Sequence, residues 1–316
     1  MKAILQNGYG KPEILEYKDI DVPSLNENEV LIRVKAAAIH AGDFYVVQGK
    51  PYITRFFTGF PKPKNHIPGF DVAGTVEKIG EKVSLFKPGD HVFGECAGAC
   101  AEFTRAKENK LILKPNKLSF EQAAAMPTSG VTALTGIRDA GKVKSGQKVL
   151  INGAAGGVGT YAIQIAKALG AEVTGVCSTR NIDFIQSIGA DYAVDYTKQD
   201  FAYSGIYYDL ILDNVANRSF PSYRHALNRR GYYLPNSGNS GMGFILRASF
   251  LSLWKKKHKP PFFISVNQNT LNDLIDLWKT GKVKPVIDKT YNLNKTSDAL
   301  TYVGKGHARG KVIITI

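Results

Sequence analysis

Residues 152–159 read Asn152-Gly153-Ala154-Ala155-Gly156-Gly157-Val158-Gly159, between the apolar run Val149-Leu150-Ile151 and an amphipathic helical stretch at 161–169. Small residues at that spacing suit one task. A tight turn must lead from strand to helix, backbone amides must approach a pyrophosphate, and the helix must pack close to its sheet. The helix N-terminus adds unpaired N–H donors and the positive end of a dipole. Ala154 stands where the common fingerprint has its first glycine, and Gly156 and Gly159 complete Ala-x-Gly-x-x-Gly. A glycine triple alone fits an ordinary tight turn. In a strand–loop–helix context it points to dinucleotide binding by Ala154, Gly156, Gly157, Val158 and Gly159.

The next strand decides which dinucleotide is expected. An acid at its end accepts hydrogen bonds from the ribose hydroxyls of NAD, whereas a 2′-phosphate needs a cation and donors. Here the strand ends Val176-Cys177-Ser178-Thr179-Arg180-Asn181, without an acid. Two hydroxyls and a guanidinium suit a phosphate. Ser178, Thr179 and Arg180 therefore predict NADPH, the alternative for Arg180 being a surface arginine at a helix start.

The elements that must position this loop follow from hydrophobic pattern. From Ser119 onward, short apolar strands alternate with helical segments: Val149-Leu150-Ile151, residues 172–176, Tyr192-Ala193-Val194, Leu210-Ile211-Leu212 and Tyr232-Tyr233-Leu234. Strands apolar throughout and separated by helices predict a parallel sheet covered on both faces. Ser119-Phe120-Glu121-Gln122 has the form of a capping box at a helix start. Residues 1–115 are β-rich, with alternating runs at 29–34 and 72–79 and turns marked by Pro and Gly, Lys87-Pro88-Gly89-Asp90 among them. A helix around 271–278, Pro285-Val286-Ile287 and the strand 311–314 close the chain.

Composition narrows the class. The 316 residues are 44% hydrophobic, enough for a real core. Three cysteines, Cys96, Cys100 and Cys177, are too few for a disulfide framework or a four-thiolate zinc site. No apolar run approaches the ~18–20 residues of a membrane span, and the opening residues lack the apolar stretch of a signal peptide. A reducing, cytoplasmic location without membrane insertion is expected. The net charge of +14 raises the prospect of nucleic acid, a membrane surface or a phosphorylated ligand. Its even spread predicts a solvated surface instead, and the lysine run at 255–259, followed by Pro260-Pro261, reads as a loop. Nucleic-acid binding is not expected, since no recognition helix accompanies the charge.

Taken together these motifs resemble the medium-chain dehydrogenase/reductase superfamily and, within it, the zinc-independent quinone oxidoreductases related to ζ-crystallin. The resemblance is carried by residues 66–76 (HIPGFDVAGTV), 86–94 (FKPGDHVFG), 122–127 (QAAAMP), 152–159, 169–173 (LGAEV), 208–215 (YDLILDNV) and 306–312 (GHARGKV). It implies an α/β chain in which a GroES-like, β-rich domain (1–122 and 267–316) surrounds an inserted Rossmann domain (123–266) with a doubly wound parallel sheet. It also implies a homodimer formed by edge strands of two Rossmann domains.

Ligand counting against the zinc enzymes of this superfamily predicts no metal. They have Cys at the position matching His40 and Gly-His-Glu at Gly69-Phe70-Asp71, and Phe70 cannot bind zinc. Without a Lewis acid, conjugated carbonyls are the easier acceptors, because hydride addition leaves a delocalised anion. A quinone or α,β-unsaturated carbonyl is thus the expected substrate, with zinc-type alcohol dehydrogenation or non-catalytic nucleotide or RNA binding as alternatives. Candidate proton donors are His40, where related quinone reductases have Asn, and Tyr45, which matches a family Tyr; Tyr52, after Gly49-Lys50-Pro51, reads either as a catalytic-cleft residue or as simple packing. His40 either donates a proton or only hydrogen-bonds cofactor or backbone, and Asp43 reads as a brace. The resemblance assigns further cofactor contacts to Thr132, Tyr196, Val215, Ser237 and Gly238. Lys311 either reaches the cofactor or is an ordinary exposed strand lysine.

Overall fold

The computed structural model describes residues 1–236, 257 and 259–316. Its strands are β1 (Lys2–Leu5), β2 (Glu16–Asp19), β3 (Glu29–Ile39), β4 (Asp71–Ile79), β5 (His91–Glu95), β6 (Phe103–Lys107) and β7 (Leu111–Leu113), then β8 (Lys148–Asn152), β9 (Glu172–Cys177), β10 (Tyr192–Asp195), β11 (Tyr208–Asp213), β12 (Leu227–Pro235), β13 (Ile287–Asn292) and β14 (Lys311–Thr315). Two compact units divide the chain: Met1–Val131 with Ser265–Asp273 and Pro285–Ile316, and Thr132–Ile264 with Leu274–Lys284.

In the first unit a sheet runs β13-β14-β3-β4-β5-β7, with β6 also paired to β3. The long strand β3 is central because its alternation buries Val30, Ile32 and Val34 in the core and leaves Arg33 and Lys35 outside. Antiparallel pairing sets Val312 opposite Ile39 and Asp71 opposite Ala38, so the two chain ends meet across β3. The turn before β5 closes as its sequence predicts, with Lys87 N–H donating to the Asp90 carboxylate at 2.9 Å. Ser119 and Gln122 form the expected reciprocal cap at 3.1 and 3.2 Å.

That sheet buries a charge pair. Lys311 Nζ donates to Asp71 Oδ2 at 3.1 Å, with side chains 1% and 0% exposed. Asp71 Oδ1 accepts from both the backbone N–H and the hydroxyl of Thr128. Lys311 is therefore not the exposed strand lysine that its sequence position allowed, because its neighbours in β14 place it inward against β4. Its ammonium is spent on a carboxylate.

The second unit is a five-stranded parallel sheet in the order β10-β9-β8-β11-β12. Helices fall between successive strands, Gly157–Ala168 after β8 and Phe220–His225 after β11 among them. The order reverses between β8 and β11, where neighbouring connections leave in opposite directions. β12 starts five residues before the apolar triplet that predicted it, because a register shift carries Asn228, Arg229, Arg230 and Gly231 along the edge of β11. On its other edge, Tyr233 exchanges backbone hydrogen bonds with Lys257 and Lys259. Lys257 Nζ also caps the Asn228 carbonyl at 2.6 Å, so these two members of the lysine run brace β12. Lys255, Lys256 and His258 lie outside the described residues.

The buried pair generates a prediction. Lys311→Met leaves Asp71 as an unpaired buried carboxylate, and should lower unfolding stability by about 3–5 kcal/mol. Chemical denaturation measures it. A variant as stable as the wild type that instead loses cofactor affinity would return Lys311 to the cofactor.

Candidate functional site

The loop after β8 is built by excluding side-chain volume. Gly153 adopts a φ of 75°, where an L side chain is strained, and the chain turns there towards the helix. A Cβ at Gly159 would stand 2.2 Å from the Gly153 carbonyl oxygen, so glycine lets the helix close on its own loop. Ala154 replaces the fingerprint's first glycine, and its methyl is accommodated from the neighbouring strand. A Cβ at Gly175 in β9 would meet the Ala154 methyl at 2.9 Å and Ile185 at 2.6 Å. Ala154 N–H then donates to the Val176 carbonyl at 3.1 Å, tying the loop to β9.

The helix Gly157–Ala168 begins with no side-chain cap and no acid in its first turn. Its first N–H groups have no partner within the helix, and the dipole concentrates positive potential there. Gly156, Gly157 and Val158 are part-exposed, and two of the three carry no side chain. This donor set fits a pyrophosphate. A carboxylate cap would have filled the same place with the wrong charge.

At the strand reversal, a carboxylate holds the adjoining turn. Asp213, fully buried, accepts from Asn152 Nδ2 at 2.8 Å, from the N–H groups of Val215 and Ala216 at 3.1 and 3.0 Å, and from the Tyr233 hydroxyl at 2.7 Å. These bonds hold Ala216 at a φ of 57° and set Val215 directly over Gly153. In open parallel sheets ligands bind beyond the carboxyl ends of the strands at such a reversal. Val215 stands in the turn that follows β11 at this reversal. Asp213 is legible in the sequence only as an acid following the apolar run Leu210-Ile211-Leu212.

The corner expected to hold a 2′-phosphate contains one surprise. β9 ends without an acid, but Asp195 at the end of β10 reaches across to it. Thr179 donates its hydroxyl to Asp195 Oδ2, and Thr197 supplies its hydroxyl and N–H at 2.7 and 3.0 Å. The Thr179 hydroxyl, with those of Thr197, holds the Asp195 carboxyl below the usual range. Thr179 thus spends its proton on protein rather than keeping it for a phosphate. Ser178 accepts from Asn181 at 3.3 Å and keeps its own proton for another acceptor. Arg180 is exposed, and Tyr196 is 47% exposed.

The candidate catalytic residues His40, Tyr45 and Tyr52 stand in three different surroundings. His40 begins the helix Ala41–Gln48, and its N–H donates to Asp43 Oδ2 at 2.8 Å. The ring folds back so that Nδ1 lies 3.4 Å from that oxygen, and it stacks on Phe70 with centroids 6.0 Å apart. Gly42 leaves room, since a Cβ there would stand 2.7 Å from the ring. His40 Nε2 and Asp43 Oδ1 are buried atoms without a hydrogen-bond partner. Burial pushes the Asp43 carboxyl up, and His40 beside it pulls the other way. Tyr45 packs edge-on to Phe44, and burial raises its hydroxyl. Tyr52 is 67% exposed beneath the Arg55 guanidinium.

Of the other expected contacts, Thr132 is 7% exposed, and Ser237 and Gly238 lie outside the described residues. Among the described residues no group of three or more His, Cys, Asp and Glu side chains could hold a metal ion. Cys96 and Cys100 are buried, and desolvation pushes the Cys96 thiol up to about 12 and Cys100 well above its ordinary value. No described helix is long and apolar enough to cross a membrane.

Comparison with known proteins agrees with this construction. The family model for an alcohol dehydrogenase GroES-like domain matches residues 26–178, and that for a zinc-binding dehydrogenase matches residues 188–314. The chain is 33% identical to 2-methylene-furan-3-one reductase of Solanum lycopersicum, covering 99% of this chain and 79% of the other. It is 33% identical to the chloroplast envelope quinone oxidoreductase homolog of Arabidopsis thaliana, covering 99% and 98%. The solved structure of the quinone oxidoreductase from Coxiella burnetii superposes with a TM-score of 0.91 at 30% identity, covering 100% and 99% of the two chains. A GroES-like unit and a Rossmann unit carrying an uncapped glycine-rich loop, matched along nearly the whole length, make this chain a member of the medium-chain dehydrogenase/reductase superfamily, in its quinone oxidoreductase branch.

Proposed function

We propose that this oxidoreductase transfers a hydride from NADPH to a quinone or an α,β-unsaturated carbonyl without using a metal. The observation that carries the reading is the uncapped, acid-free N-terminus of the helix Gly157–Ala168, set behind a loop of glycines and alanines. When bound, the reduced nicotinamide cofactor supplies the hydride. The amides of Gly157, Val158 and Gly159 bind its pyrophosphate, and the Asp213 network holds Val215 in place for the nicotinamide end. Arg180 and Ser178 supply the charge and the donor for a 2′-phosphate. The relatives named for quinones and for a 2-methylene-furan-3-one support conjugated carbonyls as acceptors.

His40 completes the reading. Its Nδ1 faces Asp43, so Nε2 is the ring atom left to move a proton to the reduced acceptor. Phe70 in the place of a zinc-ligating histidine, and cysteines held as thiols by burial, support metal independence. The three unpaired cysteines support a reducing compartment, which this reading takes as the cytoplasm. The homodimer belongs to the same proposal.

Three outcomes follow. Hydrogen bonds to charged groups contribute about 1.5–3 kcal/mol each, so Arg180→Ala should weaken NADPH binding roughly tenfold or more and leave NADH nearly unchanged. Fluorescence titration of both cofactors checks this, and equal wild-type affinities would defeat the NADPH assignment. His40→Ala should slow enone reduction by about 10²-fold, with quinone reduction less affected because its anion is already delocalised. Steady-state rates on both substrate classes decide it, and wild-type rates on the enone would leave His40 as a brace. Elemental analysis should find no stoichiometric zinc, and chelator should leave turnover unchanged. One tightly held zinc per chain, with activity lost on its removal, would overturn the metal-free reading.

A further inference from the structure

Between Asp43 and Asp71 the chain contains Lys50, Arg55, Lys62 and Lys64 and no acidic residue. The same stretch holds Tyr52, Ile53, Phe56, Phe57 and Phe60, which are 67%, 36%, 75%, 80% and 74% exposed. Four phenylalanines are exposed among the described residues, and three of them lie within these few positions. Scattered apolar side chains on a surface need no explanation, but a contiguous cluster rimmed by charge marks an interaction site.

The cluster is held, not loose. A single turn at Tyr52–Thr54 leads into the short helix Arg55–Thr58. Tyr9 supports it from below, its hydroxyl donating to the Gly59 carbonyl at 2.7 Å and lying 2.8 Å from the Thr58 hydroxyl. The Arg55 guanidinium lies between the rings of Tyr9 and Tyr52, 4.5 and 4.8 Å from their centroids, and donates to the Gly49 carbonyl. Lys64 N–H returns the chain to the Thr58 carbonyl at 2.7 Å. Packing thus fixes the backbone while the rings of Phe56, Phe57 and Phe60 stay in water. Exposed lysines at positions 50, 62 and 64 flank them.

We propose that residues 50–64 form a peripheral docking surface for an anionic lipid bilayer. Charge complementarity selects this occupant: a cationic rim without acids, on a chain of net charge +14, is attracted to a negatively charged leaflet. The apolar centre matches the interfacial region, where aromatic and aliphatic side chains enter at headgroup depth and lysines remain at the phosphates. Phenylalanine and isoleucine offer no hydrogen bonds with which to read a nucleic acid or a polar peptide. The surface lies on the membrane and does not span it. It does not rest on the cofactor assignment, and Tyr52, named above as a candidate cleft residue, is left unchanged in its test.

The test is sedimentation of the full-length protein with vesicles of phosphatidylcholine alone or mixed with phosphatidylserine. Binding is expected to the mixed vesicles, with little to phosphatidylcholine, and should weaken as salt is raised. Lys62→Glu/Lys64→Glu should weaken it more than tenfold, since each lysine near an anionic surface contributes about fivefold. Phe56→Ser/Phe57→Ser/Phe60→Ser should weaken it at least as much. Lys144→Glu/Lys305→Glu, the same change in net charge elsewhere, should retain most of the binding. Because those phenylalanines are exposed, thermal unfolding should stay near wild type. As a second readout, Phe57→Trp should add a blue-shifted emission on mixed vesicles above the two native tryptophans. No binding to mixed vesicles at low salt would overturn the proposal. So would vesicle binding that the triple serine variant leaves intact, or a triple variant that loses RNA binding while vesicle binding persists.

Discussion

The nucleotide-binding half of this protein depends on keeping side-chain volume out of one crossing. Where β8, β9 and the helix Gly157–Ala168 converge there is no room for a Cβ: one added at Gly159 would stand 2.2 Å from a carbonyl oxygen, and one added at Gly175 would stand 2.9 Å from the Ala154 methyl. The glycines cost conformational entropy in the unfolded chain and weaken strand and helix locally. In return the helix amides come to the loop's surface and the dipole reaches a ligand without an intervening side chain. Ala154 shows that the constraint belongs to the crossing and not to any one position. A methyl added in the loop is matched by a methyl absent from the neighbouring strand.

A buried carboxylate organises polar groups within each unit. Asp213 gathers donors from β8, from the turn after β11 and from β12, so that one anion orients the turn bearing Val215. In the other unit Asp71 gathers Lys311 and Thr128. A buried charge is tolerated only when its lone pairs are filled, which makes each carboxylate intolerant of losing a partner. Asp43 differs. One of its oxygens is satisfied by His40 and the other has no hydrogen-bond partner.

Asp195 illustrates how tertiary contact reassigns a local motif. Along the chain, Ser178-Thr179-Arg180 is a run of donors and a cation with no acid nearby. In the sheet β10 lies beside β9, and parallel register sets Asp195 opposite Cys177, one residue from the donors. The carboxylate consumes the Thr179 proton and fixes the ends of two strands together.

The periodicity of the chain was enough to find the parallel strands, the β-rich ends, the cap at Ser119 and the strand–loop–helix at 152–159. These are short-range features: alternation, turn chemistry and glycine spacing act within a few residues and leave a mark at fixed intervals. What periodicity left open was every partnership between residues far apart in the chain, because a side chain's chemistry does not specify who sits opposite. Lys311 and Asp71 are 240 positions apart, and only pairing of β14 and β4 with β3 brings them together and away from water. The Thr179–Asp195 bond, the donors around Asp213 and the support of Tyr9 under an exposed aromatic cluster are of the same kind. Periodicity determined the elements, and tertiary packing decided which polar groups are spent on the fold and which are left for a ligand.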